Sequence, residues 1–172
     1  MQIIIKNKDT LIYDDFKFKC CIGLNGFTKN KLEGDKKTPT GTFSIGNLYY
    51  RKDRNPKPIT NLKCIAIKKS MGWCNDVNNK KFYNKLIKKD RNIKSEKLYR
   101  YDYKYNYFID IKYNFFNSKI PKGSAIFLHL TKNFKPTAGC IAMSKKDFLI
   151  LLKIIKKKNK EKNKLISLTK YF

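Results

Sequence analysis

Histidine and tryptophan each occur once in the 172 residues, arginine four times, and acidic residues 13 times against 40 basic ones. One histidine and five cysteines, Cys20, Cys21, Cys64, Cys74 and Cys140, with no C-x-x-C pair among them, do not supply four metal ligands at recognisable spacing. Neither a structural metal nor a cofactor is expected. An odd number of cysteines also excludes a fully paired disulfide framework and leaves at least one free thiol. No run approaches the roughly 20 apolar residues of a membrane-spanning helix, so no transmembrane segment is expected. The opening, Met1 to Asp9, has no basic region followed by an apolar stretch, and a secretory signal is not expected from it. Internal repeats and a Pro/Ser/Gly-rich linker are missing too, so residues 1–172 are expected to form a single domain, long enough for its own core.

The shortage of acid leaves a net charge of +27, a field that attracts polyanions such as nucleic acid, acidic wall polymer or an anionic membrane surface. Arg51, Arg54, Arg91 and Arg100 are the only arginines, and all other basic residues are lysine. Lys, Asn and Ile abundant together are what an AT-biased coding sequence supplies. Phosphate recognition more often recruits arginine, whose planar fork grips two oxygens. The lysines therefore read mainly as a solvated surface; sequence-specific nucleic-acid binding is not expected, and an anionic wall polymer is the polyanion partner kept in view.

The first third reads as strands: Met1 to Ile5, Leu11 to Ile22 and Phe43 to Tyr50 are β-branched and aromatic, while 23–41 is rich in Gly, Asn, Asp and Pro and reads mostly as loop. Cys64 to Ile67, Tyr105 to Tyr113, Ala125 to Leu130 and Leu165 to Thr169 are further strand candidates, with a short helix around Phe82 to Lys88. Ser144 followed by Asp147 predicts a helix start, and Phe148, Leu151, Leu152 and Ile155 at i, i+3, i+4 and i+7 make its buried face. The lysine cluster at 156–164 reads as the helix end and a solvated loop. The fold class is mainly β (β-rich α+β), a sandwich or open barrel with one amphipathic helix in the C-terminal half.

His129 stands inside the apolar run Ala125 to Leu130, and Cys140 follows eleven residues later in Thr137-Ala138-Gly139-Cys140-Ile141. A loop of that length returns the chain beside the first strand and brings the thiol within reach of the imidazole. Cysteine attacks as a thiolate, and a neighbouring imidazole takes its proton or pairs with the thiolate. Gly139 lets backbone approach a substrate, and amides around Ala138, Gly139 and Cys140 are placed to face a developing oxyanion. One histidine near one cysteine is equally compatible with two buried structural residues.

The surrounding residues extend this pattern. Gly123 to His129 followed by Pro136 to Ala142 resembles the catalytic signature of the L,D-transpeptidase (YkuD-type) domain family. Lys31 to Phe43, with Gly34, Asp35, Thr38, Pro39, Gly41 and Phe43, is similar to that family's substrate-side loop. Met71 to Asp76, Tyr83-Asn84, and Ser95 to Arg100 leading to Tyr113-Asn114 resemble a bacterial branch with a Gly-Trp-Cys-Asp segment; the blocks together cover roughly residues 20 to 155.

The resemblance implies a mostly β catalytic domain in which cysteine attacks the peptide bond after the third residue of a peptidoglycan stem tetrapeptide. D-alanine leaves, and an acceptor amine resolves the thioester. Carried over, Cys140 is the nucleophile, His129 the base and later acid, and the backbone at Ala138, Gly139 and Cys140 the oxyanion hole. The carbonyl of Leu130 orients the base, and Thr137, Trp73, Arg100, Gly34 and Thr38 are the substrate-side candidates. Trp73 reads equally as core, Gly34 and Thr38 as turn chemistry, and Glu96, Arg100 and Asp102 as an ion-pair network.

Two positions depart from the family pattern: Leu130 replaces a glycine and Ala142 an arginine, leaving donor-carboxylate recognition to Arg100 or a lysine. The implied partners are peptidoglycan stem peptides or muropeptides, and the implied place is the cell envelope, with a cytoplasmic wall precursor as the alternative where no signal is visible. An L,D-carboxypeptidase or other acyl hydrolase would use the same Cys/His pair, and a non-catalytic basic polyanion-binding module would need neither residue.

Overall fold

The computed structural model describes residues 2–155 and 165–168. Its strands, in chain order, are β1 (Gln2–Ile5), β2 (Thr10–Tyr13), β3 (Phe16–Cys21), β4 (Phe27–Thr28), β5 (Thr38–Pro39), β6 (Gly41–Tyr50) and β7 (Cys64–Ala66). They continue as β8 (Met71–Cys74), β9 (Leu86–Lys88), β10 (Ser95–Lys97), β11 (Tyr107–Ile111), β12 (Phe127–Leu130) and β13 (Ile141–Met143). The helix α1 (Lys145–Ile154) follows, and then β14 (Leu165–Leu168). Eight strands in the order β11-β12-β13-β3-β2-β1-β14-β6 close on themselves because β6 also pairs with β11, and β7 adds to β6 from outside the ring. Where the sequence allowed a sandwich or an open barrel, the sheet curves to closure, which removes the exposed edges that an open sheet leaves.

Alternation along the strands builds two cores. Inward residues of all eight barrel strands, among them Ile5, Leu11, Leu48, Ile109, Leu128, Met143 and Ile166, join Phe148, Leu151 and Leu152 of α1 in the larger cluster. The intervening residues Tyr49, Phe108 and Phe127 face the other way and meet Trp73, Leu98 and Tyr105. The small sheet β10-β8-β9 carries Trp73 over that outer face. Side chains two apart on one strand share a face, so His129 looks outward with Phe127 while Leu128 and Leu130 fill the barrel.

The helix begins as expected: Ser144 Oγ accepts from Asp147 N–H at 3.1 Å and donates to Asp147 Oδ2 at 2.8 Å. Two expectations change. Leu11 to Ile22 is a hairpin rather than one strand, because Asp14 adopts φ 55° and turns the chain between Tyr13 and Phe16. Phe82 to Lys88 is a turn followed by β9, not a helix. Asn84 takes φ 58° there and spends its side chain on partners far along the chain, which a helix would not allow. The lysine cluster at 156–164 and Thr169 lie outside the described residues.

Candidate active site

Parallel pairing of β12 with β13 sets Leu128 opposite Ile141 and His129 opposite Ala142. Cys140, one residue before β13, therefore stands beside the start of β12 on the face that carries His129. The thiol donates to the Ala125 carbonyl at 3.3 Å, and Sγ accepts from Phe127 N–H at 3.4 Å. Ala125 aims its carbonyl from φ 52°, a left-handed conformation that costs a non-glycine residue about 1–2 kcal/mol. Asn84 holds that turn: its Oδ1 accepts from Ala125 N–H (3.0 Å) and from Trp73 Nε1 (2.9 Å). Its amide donates to the carbonyls of Tyr113 (2.9 Å) and Asn114 (2.7 Å). Sequence reasoning assigned Asn84 no role; an asparagine after an aromatic residue gives no sign of four partners distant in the chain.

His129 is buried with its Nδ1 3.0 Å from the Leu130 carbonyl. A carbonyl only accepts, so the proton sits on Nδ1 and Nε2 carries the free lone pair. The ring also meets Tyr105 edge-on, with centroids 5.5 Å apart. Burial above all, with Lys104 and Arg100 adding to it, lowers the imidazole pKa to about 4 against the opposing bond to Leu130. Cys140 keeps partial exposure to the cleft, yet the protein packed round its thiol pushes the pKa up to about 12. Around neutral pH the two groups are thus a protonated thiol and a neutral imidazole on one face of the sheet, not a preformed ion pair.

The loop before Cys140 is braced on both sides. Thr38, wholly buried, accepts from Gly23 N–H (2.9 Å) and donates to the Gly139 carbonyl (2.8 Å). The Thr137 hydroxyl donates to the Cys140 carbonyl at 2.6 Å and accepts from Gly139 N–H at 3.1 Å. Gly139 itself has φ 135°, and a Cβ there would lie 2.8 Å from the Lys37 carbonyl, so only glycine fits. These contacts correct the expectation that three amides face an oxyanion: the Gly139 N–H is taken by Thr137, leaving Ala138 and Cys140 as the candidates.

Cys140 and His129 open onto a cleft of about 430 Å³ lined also by Gly34, Arg100, Leu130, Thr137 and Ala138. Trp73 and Thr38 do not line it, which corrects both as substrate contacts. Trp73 is in the outer core, and Thr38 lies beneath the Gly139 loop because its hydroxyl serves two backbone groups. Arg100 pairs with Asp102 (2.6 Å) and Glu96 (3.3 Å), and Glu96 also accepts from the Tyr105 hydroxyl at 3.0 Å. That network forms the wall behind the imidazole.

In comparison with known proteins, the barrel resembles the crystal structure of the helical cell shape determining protein Pgp2 from Campylobacter jejuni, with TM-score 0.53, 16% identity and 98% of this chain covered. A mutant of the same protein gives TM-score 0.51 and 17% identity over 98% of this chain. This chain spans 46% and 47% of those two chains, about half their length. No curated protein sequence matches. The family model for the L,D-transpeptidase catalytic domain, YkuD, matches residues 2–162, nearly the whole sequence. With the signature residues gathered on one cleft and the domain model spanning the barrel, the chain belongs to the L,D-transpeptidase catalytic domain family.

Proposed function

We propose that this chain is a cysteine acyltransferase of the L,D-transpeptidase type, acting on peptidoglycan stem tetrapeptides in the cell envelope. The observation that carries the reading is the locked tautomer of His129, which presents the Nε2 lone pair on the sheet face that also bears the Cys140 thiol. When a donor carbonyl enters the cleft, the thiol proton leaves the Ala125 carbonyl for Nε2 and Sγ forms a bond to the carbonyl carbon. The amides of Ala138 and Cys140 receive the developing oxyanion. The C–N bond then breaks, His129 returns the proton to the departing D-alanine amine, and a thioester remains. An acceptor amine repeats the sequence in reverse, giving up a proton to Nε2 and restoring the thiol.

Arg100 is the cation assigned to a donor carboxylate, in the absence of an arginine after Cys140. Likeness to a helical cell shape determining protein suits wall remodelling as the setting. The test is to incubate the protein with a disaccharide-tetrapeptide beside a Cys140→Ala variant and to record intact mass and released products. The reading expects an adduct of the tripeptide acyl group, free D-alanine, and crosslinked dimer, all absent in the variant. Free tripeptide without dimer would replace transfer by hydrolysis. Folded protein that gives neither adduct nor turnover overturns acyl transfer from this donor.

A further inference from the structure

One hydrogen bond does not fix an imidazole. The torsion that turns a histidine ring is broad and roughly two-fold, and the Leu130 carbonyl, supplied by the next residue in the chain, holds only the Nδ1 side of His129. Where Nε2 points therefore depends on what packs against the ring. Among the described residues, Tyr105 is the aromatic ring set against it, with the two planes at 70°.

Tyr105 is held on every side. Its ring centroid lies 5.1 Å from that of Phe108, 5.8 Å from that of Phe127, and 5.1 Å from the Arg100 guanidinium. The hydroxyl donates to Glu96 Oε1 at 3.0 Å, the same oxygen that pairs with Arg100. Burial above all raises the pKa of this phenol well beyond its ordinary value, so the hydroxyl keeps its proton and remains a donor. Each partner is anchored in turn. Glu96 is set by β10, which pairs with β8 and places it opposite Trp73. The backbone of Arg100 is held by Arg51, a 2% exposed guanidinium that donates to the Arg100 carbonyl, stands 3.5 Å from the Tyr99 centroid and pairs with Asp53.

We propose that Tyr105 is a positioning residue for His129. Anchored through its hydroxyl to Glu96, its ring fixes the plane of the imidazole, keeps Nδ1 on the Leu130 carbonyl, and so holds the Nε2 lone pair on the face that bears Cys140. Tyr105 takes no part in the bond changes themselves, because its one proton is committed to Glu96. The use made of that lone pair rests on the acyl-transfer reading; the orientation of the ring does not.

The test reads the ring directly. Because His129 is the only histidine, the ring-nitrogen NMR shifts of histidine-labelled protein at pH 7, well above the imidazole pKa of about 4, report on it alone. Wild type should show one form with the proton on Nδ1. Tyr105→Leu, which removes the ring, should show shifts averaged between the Nδ1–H and Nε2–H forms, and Tyr105→Phe, which keeps the ring but loses its anchor, should lie between the two. Glu96→Gln retains an oxygen for the Tyr105 hydroxyl and should resemble wild type. With a disaccharide-tetrapeptide donor, D-alanine release by Tyr105→Leu should fall about a hundredfold in kcat with KM changed by less than about twofold, the expected result of a misdirected base. Wild-type ring shifts in the folded variants overturn the proposal, as does a loss confined to KM or to stability with kcat kept. If Tyr105→Leu does not fold, Tyr105→Phe decides by the same readings. If wild type turns over no donor, mixed ring shifts in the variants uphold the positioning of His129 and remove the acyl-transfer reading, whereas unchanged shifts overturn the positioning.

Discussion

Acid should destabilise this protein in a window that belongs to one residue. The pKa of His129 falls from the ordinary value of 6.5 to about 4 on folding, chiefly through burial. At pH 7 neither the folded nor the unfolded state holds that proton. As pH falls through 6.5 the unfolded chain takes it up and the folded chain does not, so unfolding is favoured; below about 4 both states are protonated and the loss is complete. A difference of this size corresponds to about 3 kcal/mol. Asp35 and Asp102, with carboxyls held below the usual range by backbone and lysine or arginine hydrogen bonds, lose their contribution only at lower pH. Because the chain has a single histidine, the interval from pH 6.5 to 4.5 reports on His129 with little interference. Urea unfolding should lose most of that stability across the interval, while His129→Gln should show a flat profile there. Constant wild-type stability between pH 6.5 and 4.5, or an equal slope in the variant, refutes the assignment of a buried neutral imidazole.

Three shorter predictions follow from the same geometry. Alkylation of Cys140 by iodoacetamide, followed by peptide mapping, should rise about tenfold per pH unit from 7 to 10, and the thiolate population at pH 7 should be about a thousandfold below that of an unperturbed thiol. A plateau reached by pH 6 would mean a preformed ion pair. Thr38→Val strands the Gly23 N–H and the Gly139 carbonyl, so urea unfolding should show a loss of about 2–3 kcal/mol and kcat should fall with the displaced loop. Trp73→Phe removes the bond to Asn84, lowering stability by about 1–2 kcal/mol with KM unchanged; a raised KM would return Trp73 to the substrate cleft.

Local rules made part of this molecule legible in the sequence. A short apolar run marked β12 and the helix cap at Ser144 announced α1, since each depends on neighbours within a few residues. The return of Cys140 to the strand beside His129 was visible because one short loop joins their strands. What escaped depends on partners remote in sequence. Asn84 ends the expected helix by binding Trp73, Ala125, Tyr113 and Asn114 at once, and nothing near position 84 encodes them. Trp73 was legible as core as well as cleft, whereas nothing near Thr38 showed that it lies beneath residue 139. That distinction is set by a contact across 101 residues of chain, the Thr38 hydroxyl donating to the Gly139 carbonyl.

The hydrogen bond from Cys140 to Ala125 also bears on the chemical lifetime of this cysteine. Peroxides, disulfides and soft metal ions all react with thiolate, and a thiol held protonated by burial offers them very little. In the proposed reaction the thiolate arises only while a substrate carbonyl is in place to receive it. A thiol kept protonated in this way should be oxidised slowly, so the burial that quiets Cys140 also protects it.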